Sequence, residues 1–391
     1  MSTKLSESDY KRVDQIVTSN NPDILKIEAP GRINLIGEHI DYNGGNVLPA
    51  AIDKCIYYFF VKNDSKNVAN ILSKNFNEGF SFDITIPEKP GDGWLSYLSG
   101  VLSEIAKIRP GKVTGFDCSL DSKLPIGSGI SSSAALLCGF AKGLNELFDL
   151  KIDDIEIIKL CQNAERIFSG ANVGVMDQFA VVKGKKDHFI LLDCDTLEYK
   201  TIPAAMNTNI LLLLNTNVSH NLADSAYNER RAQCESALEI ISSKYSKVKT
   251  LVEATEEMIE ELKEELGEDR VKRATHVIQE QKRVEATVIA LKNNDFELVG
   301  ELLNKSHDGL QNLYEVSCPE LDFLASYAKN DDRVLGARMM GGGFGGCTIN
   351  LIDEKNVDSF VADATKAYKE ACNLDLTPIK VKTNNGVSKI N

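Results

Sequence analysis

Residues 28–42 read Glu-Ala-Pro-Gly-Arg-Ile-Asn-Leu-Ile-Gly-Glu-His-Ile-Asp-Tyr, one arginine, three acids and a histidine set among two glycines and four large aliphatic residues. An apolar, strand-like run ends at Gly37, and the turn after it throws Glu38, His39 and Asp41 into a loop beside Arg32. An ordinary connection has no use for so dense a set of hydrogen-bonding groups. A loop that grips a hydroxyl-rich, sugar-like ligand does, because each buried hydroxyl needs its own partner.

A second segment, Leu124-Pro-Ile-Gly-Ser-Gly-Ile-Ser-Ser-Ser-Ala-Ala-Leu136, points to anion chemistry. Gly127 and Gly129 let the backbone turn and approach a ligand, with Ser128 and Ile130 between and after them. Ser131, Ser132 and Ser133 then open a helix. Its N-terminus presents free N–H groups and the positive end of the dipole, which suits phosphate. A plainly capped helix is the alternative. The loop is not a Walker A motif, and the chain has no His-Arg-Asp catalytic loop of the protein kinases.

Three further places carry possible chemistry. Gly336-Ala-Arg-Met-Met-Gly-Gly-Gly-Phe-Gly-Gly-Cys-Thr348 is rich in glycine, but a strand follows it, so the turn-to-helix logic of a dinucleotide fingerprint fails. Its backbone is expected to pass close to a ligand or to another loop. Asp177, in Asn172-Val-Gly-Val-Met-Asp-Gln-Phe-Ala180, sits in an apolar stretch where an unpaired carboxylate is costly, so Arg32 or another donor pairs with it or it does chemistry. Glu165, on a helical stretch, either holds a metal or faces solvent.

The elements that must position these groups follow from periodicity. Strand-like runs are expected at Asn46–Ile52, Ile56–Val61, Phe80–Ile86 and Gly115–Leu120, with helices at Trp94–Ile108, Ser131–Leu147 and Asp153–Phe168. A hairpin is expected over 187–200 and a buried strand at Asn209–Leu214. Amphipathic helix follows over 222–245, 252–266 and 270–303, then a strand at Cys347–Ile352, a helix at Val357–Ala371 and a last strand near Pro378–Lys382. This mixture predicts two α+β domains, 1–200 and 201–391, and 391 residues exceed what one core usually supports. The acidic run from Glu256 to Glu268 reads as a solvated helix face.

Composition sets the outer limits. A net charge of -13 argues against nucleic acid or an anionic membrane surface as partner, and it forces any phosphate site to rely on local devices. Nine scattered cysteines, none in a Cys-x-x-Cys pair, read as reduced thiols of a cytoplasmic protein. The first residues lack an apolar signal region, and no run is long enough to span a bilayer.

Taken together, the Ser-rich and Gly-rich loops resemble those of the superfamily of galactokinase, homoserine, mevalonate and phosphomevalonate kinases. Gly31-Arg-Ile-Asn-Leu-Ile-Gly-Glu-His-Ile-Asp-Tyr-Asn43 resembles the galactokinase signature almost throughout, and the likeness extends over nearly the whole chain, to Asp177 and to Tyr227 ahead of Glu229-Arg-Arg231. The resemblance implies an active site in an interdomain cleft and ATP-dependent phosphorylation of the anomeric hydroxyl of galactose. It implies sugar binding by Glu38, His39, Asp41, Gly174 and Tyr227, and ATP phosphates wrapped by Gly127 through Ser133. It further implies Mg²⁺ held by Ser133 and Glu165, Asp177 and Arg32 flanking the reacting hydroxyl, and Trp94 near the adenine.

Two positions depart from that pattern. Ile40 and Met340 stand where threonine is usual, and Ile40 is expected to alter sugar preference slightly. A catalytically silent sugar sensor and a kinase of another sugar, such as N-acetylgalactosamine or arabinose, stay open. So does the question of whether Asp177 takes the proton or chiefly orients the hydroxyl. Nothing demands more than a monomer. Residues before Gly37 are expected to govern turnover, and those after it sugar choice.

Overall fold

The computed structural model describes residues 2–19, 21–85, 93–125, 127–170, 172–219 and 223–390. In the first half of the chain the strands are β1 (Thr3–Lys4), β2 (Leu25–Asn34), β3 (Asn46–Val47), β4 (Pro49–Lys62), β5 (Val68–Ser73), β6 (Glu78–Asp83), β7 (Phe116–Ser122), β8 (His188–Asp193) and β9 (Tyr199–Pro203). The helices there are α1 (Glu7–Gln15), α2 (Trp94–Ile108), α3 (Ser132–Phe148), α4 (Asp154–Ser169) and α5 (Met176–Lys183). The second half holds β10 (Asn209–Ser219), β11 (Val334–Met339), β12 (Gly345–Asp353), β13 (Thr377–Val381) and β14 (Ser388–Ile390). Its helices are α6 (Ala223–Lys244), α7 (Glu256–Glu261), α8 (Lys263–Lys292), α9 (Phe296–Gly309), α10 (Pro319–Lys329) and α11 (Val357–Cys372).

Among the described residues the strands form three sheets. The largest runs β1-β6-β5-β7-β4-β2-β14, the second β11-β12-β10-β13, and a small one β3-β8-β9. Helices mixed with largely antiparallel sheets make this an α+β fold. α3 lies on β2 and β4, and β4, an interior strand of the sheet, buries Ile56, Tyr58 and Phe60. That apolar floor fixes the helix whose first turn faces the site.

Several elements fall where periodicity put them, Trp94–Ile108 to the residue. Others differ for physical reasons. The expected strand at 46–52 divides: Asn46–Val47 form β3, and from Pro49 on it joins the expected strand at 56–61 in β4; where β4 slips register with β2 between Ala51 and Cys55, Asp53 N–H donates to Lys382 O at 2.9 Å. The expected helix over 252–266 is split: α7 ends at Glu261 and Gly267 takes a φ of 70°, which interrupts the helix that follows. The stretch expected as one helix over 270–303 breaks before Asp295, whose carboxylate accepts from Leu298 N–H at 3.0 Å and caps α9. Gly336 through Met339, taken as loop, pair with β12, so ladder bonds outweigh the cost of a glycine in a strand. Ile86 and Leu222, at the ends of an expected strand and helix, lie outside the described residues.

The chain's last strand returns to its beginning. Ser388, Lys389 and Ile390 pair with Glu28, Ile27 and Lys26 at the edge of β2. None of the nine cysteines is in a disulfide, and seven are buried. Among the described residues no helix is long and apolar enough to cross a membrane.

Candidate active site

Arg32 lies near the end of β2, opposite Ala51 of β4, just after the register between the two strands shifts beyond Pro30. Its N–H donates to Ile130 O of the Ser-rich loop at 3.1 Å. The side chain is almost sealed from solvent. Nε and Nη2 donate to Asp177 Oδ1 and Oδ2 at 2.7 and 3.0 Å, and Nη1 donates to Gly129 O at 2.7 Å. Burial alone would strip the guanidinium of its proton more easily, but Asp177, Glu38 and Asp41 outweigh it and hold the charge in place.

Asp177 comes from the first turn of α5 and takes a third bond from the Ser131 hydroxyl. That bond changes the expected role of Ser131. It stands at the N-cap of α3 with a left-handed backbone (φ 57°), yet its side chain makes no cap. Because the hydroxyl is committed to Asp177, the first N–H groups of α3 lack a side-chain cap, as an anion site requires.

Beside this terminus Ser133 hydrogen-bonds to Glu165, which is buried and also receives the Gln178 amide. Burial, aided by Asp177, pushes the Glu165 carboxyl up to about 7, which is the signature of a carboxylate short of positive charge. A hydroxyl next to a buried carboxylate is a hard oxygen pair that fits Mg²⁺. Among the described residues no group of three or more His, Cys, Asp or Glu could hold a metal, so the other ligands of such an ion would be phosphates and water.

The sugar loop lines the same cavity as these groups. Glu38 is buried and accepts from Arg338 Nη1 and Nη2 at 3.1 and 3.2 Å and from Gly341 N–H at 2.8 Å. Arg338, fully buried, also donates to Asn34, Leu35 and Met339 carbonyls, and thereby ties the end of β2 to the glycine loop. His39 takes a φ of 65°, and burial pushes its imidazole down to about 3, so it is neutral; Nε2 is buried and makes no hydrogen bond of good geometry. Burial, with Asp177 and Glu38 close by, pushes Asp41 up to about 7. Gly174 explains how Asp41 fits: a Cβ there would lie 1.8 Å from Asp41 Oδ2. Tyr227 packs its ring 5.4 Å from His39.

One cavity of about 610 Å³ is lined both by Arg32, Glu38, His39, Asp41, Gly174, Asp177 and Tyr227 and by Gly127, Gly129, Ser131, Ser132, Ser133 and Glu165. Such a volume suits a small-molecule site.

Comparison with known proteins bears on what the cavity takes. Residues 17–62 match the model of the galactokinase galactose-binding signature, 96–185 that of the GHMP kinase N-terminal domain, and 287–370 that of the GHMP kinase C-terminal domain. A galactokinase of Fusobacterium nucleatum is 40% identical over 94% of this chain and 95% of its own. One of Clostridium beijerinckii is 42% identical over 93% and 94%. The chain belongs to the galactokinase family. The crystal structure of Lactococcus lactis galactokinase complexed with galactose superposes with a TM-score of 0.92 at 32% identity, covering 98% of this chain and 99% of that one. A mevalonate kinase structure at 19% identity, TM-score 0.66, shares the fold.

Within the galactokinase family frame, three expected contacts fall away from the cavity lining. Ser128 is buried and its hydroxyl donates to Pro125 O at 2.7 Å. Ile130 sits in the hydrophobic core. Trp94 stacks on Phe76 and meets Phe80 edge-on, while its neighbours Gly93, Ser96 and Tyr97 face the cavity. The two departures from the galactokinase pattern also point inward: Ile40 and Met340 are core residues, so neither reaches a ligand directly. Sequence reading missed Arg338, although an arginine inside an apolar strand was the available signal, and it missed Tyr42 and Tyr314 behind His39.

Proposed function

We propose that this chain transfers the γ-phosphoryl group of ATP to the anomeric hydroxyl of α-D-galactose, yielding galactose 1-phosphate and ADP. The observation that carries the reading is the Arg32–Asp177 ion pair, set where the sugar loop and the uncapped terminus of α3 share one cavity. Galactose lies against Glu38, His39, Asp41 and Tyr227, and the ATP phosphates against Gly127, Gly129 and Ser131 through Ser133.

Phosphoryl transfer asks for positioning and charge neutralisation more than covalent help. Asp177 orients the sugar hydroxyl and accepts its proton. Three of the five guanidinium N–H groups of Arg32 are committed to Asp177 and Gly129, which leaves two for oxygens of the transferred group. Mg²⁺ held by Ser133 and Glu165 would neutralise phosphate charge. These local cations and the helix terminus offset a net charge of -13.

The unpaired cysteines support a reducing, cytoplasmic setting. The chain acts as a monomer of two domains divided near residue 200, with β14 completing the first sheet. Purified protein with ATP, Mg²⁺ and galactose, followed by ³¹P NMR, tests the reading. The expected product carries phosphate on the anomeric oxygen. Binding of both ligands without turnover would instead indicate a sensor.

A further inference from the structure

His39 is the end of a buried chain of hydrogen bonds. Its Nδ1 lies 2.8 Å from the Tyr42 hydroxyl, which lies 2.8 Å from the Tyr314 hydroxyl, which lies 3.1 Å from Cys234 Sγ. The Tyr314 ring packs tilted against the His39 ring, 4.8 Å between centroids, and Asn43 Nδ2 donates to His39 O at 2.8 Å, which holds the backbone at this position. The other ring nitrogen, Nε2, is buried and makes no hydrogen bond of good geometry, and the Gly342 backbone beside the ring lines the same cavity as His39.

The hydrogens can be counted. Burial pushes both phenols well up and the Cys234 thiol up to about 11, so all three keep their protons, while the buried imidazole is neutral and carries one. Four hydrogens serve three links, and one is left over at an end. If the chain runs towards the histidine, S–H donates to Tyr314, Tyr314 to Tyr42 and Tyr42 to Nδ1, and the spare hydrogen stands on Nε2. If it runs the other way, a hydroxyl must donate to sulfur, a weak acceptor, and the imidazole nitrogen, a good acceptor, is left bare.

We infer that Cys234, Tyr314 and Tyr42 form a relay that fixes His39 as its Nε2–H tautomer, so that it donates to a hydroxyl oxygen of the sugar. Tyr42 and Tyr314 are then positioning residues for sugar recognition. Which tautomer a histidine adopts is set by the bond its other nitrogen makes. This assignment rests on the galactose reading only for the identity of the acceptor.

The test is a long-range ¹H–¹⁵N spectrum of the full chain labelled at its five histidines, with His39→Gln identifying the resonance. The wild type is expected to show the proton on Nε2 without any sugar present. Tyr42→Phe and Tyr314→Phe are expected to give mixed tautomers and to raise KM for galactose about tenfold, one hydrogen bond's worth, with a smaller loss in kcat. Cys234→Ser keeps a terminal donor and is expected to retain the single tautomer. A wild-type proton on Nδ1 overturns the relay, and so do phenylalanine variants with unchanged tautomer and KM. Should those variants not fold, the wild-type spectrum alone decides. If Nε2–H is found but galactose is not phosphorylated, the sugar reading fails while the relay stands.

Discussion

Arg32 and Asp177, 145 positions apart in sequence, meet through two hydrogen bonds of 2.7 and 3.0 Å, with Arg32 nearly sealed (5% of its side chain exposed) and Asp177 open to the cavity (29%). The arginine is therefore held firmly in place, with two N–H groups left for the transferred group, and the carboxylate is the more open of the pair. Because Arg32 also holds Gly129 O, one side chain couples the sugar wall to the phosphate loop.

The first prediction follows from that coupling. Asp177→Asn keeps the shape but loses the charge that accepts a proton and holds the guanidinium. Galactose-dependent ADP release is expected to fall by about 10³-fold or more. ATP affinity, measured by calorimetry, should change by only a few-fold.

Gly174 tests the space beside Asp41. A Cβ at 1.8 Å from Oδ2 must displace the carboxylate. Gly174→Ala is expected to raise KM for galactose by about tenfold or more, the loss of one charged hydrogen bond, while circular dichroism and ATP binding stay close to wild type. An unchanged KM would show that Asp41 does not touch the sugar.

Arg338 and Glu38 form a pair with side chains 0% and 2% exposed. Breaking a buried pair leaves a stranded charge, so Arg338→Met should cost about 3–5 kcal/mol of stability in urea unfolding. Glu38→Gln retains an acceptor for Gly341 N–H and should cost less. Both should weaken galactose binding, since the sugar loop is anchored through them.

Asp41 sets a pH dependence. Its folded carboxyl, pushed up by burial to about 7, holds a proton that the unfolded chain releases near the ordinary value of about 3.9. Between those values the native state binds more protons than the unfolded one, so this group's contribution to stability declines as pH rises. Asp41→Asn should remove that part of the decline. Only the ionised carboxylate accepts two sugar hydroxyls, so kcat/KM for galactose should climb as pH passes about 7.

Much of this was legible in the sequence because the key groups cluster in short segments. Arg32, Glu38, His39 and Asp41 lie within ten residues, and the Ser-rich loop announces its helix. The partners that finish the site come from far along the chain: Arg338 pairs with Glu38 across 300 positions and Tyr314 reaches Tyr42 across 272. Local periodicity carries no record of such contacts. Ser131 shows a second limit. Its position marks the helix start correctly, but its hydroxyl serves Asp177 rather than the helix, and only tertiary geometry decides between those two uses. The expected split at Gly37 also needs refining, since Glu38, beyond it, is anchored by Arg338 and belongs to the frame as much as to sugar choice.

The central claim is that this cavity phosphorylates galactose in preference to other sugars. Steady-state kcat/KM for ADP release across free sugars, including galactose, glucose, N-acetylgalactosamine and arabinose, tests it most directly. The account predicts the highest value for galactose, falling sharply in Asp177→Asn. A higher value for any other sugar, or no sugar-dependent turnover, would contradict it.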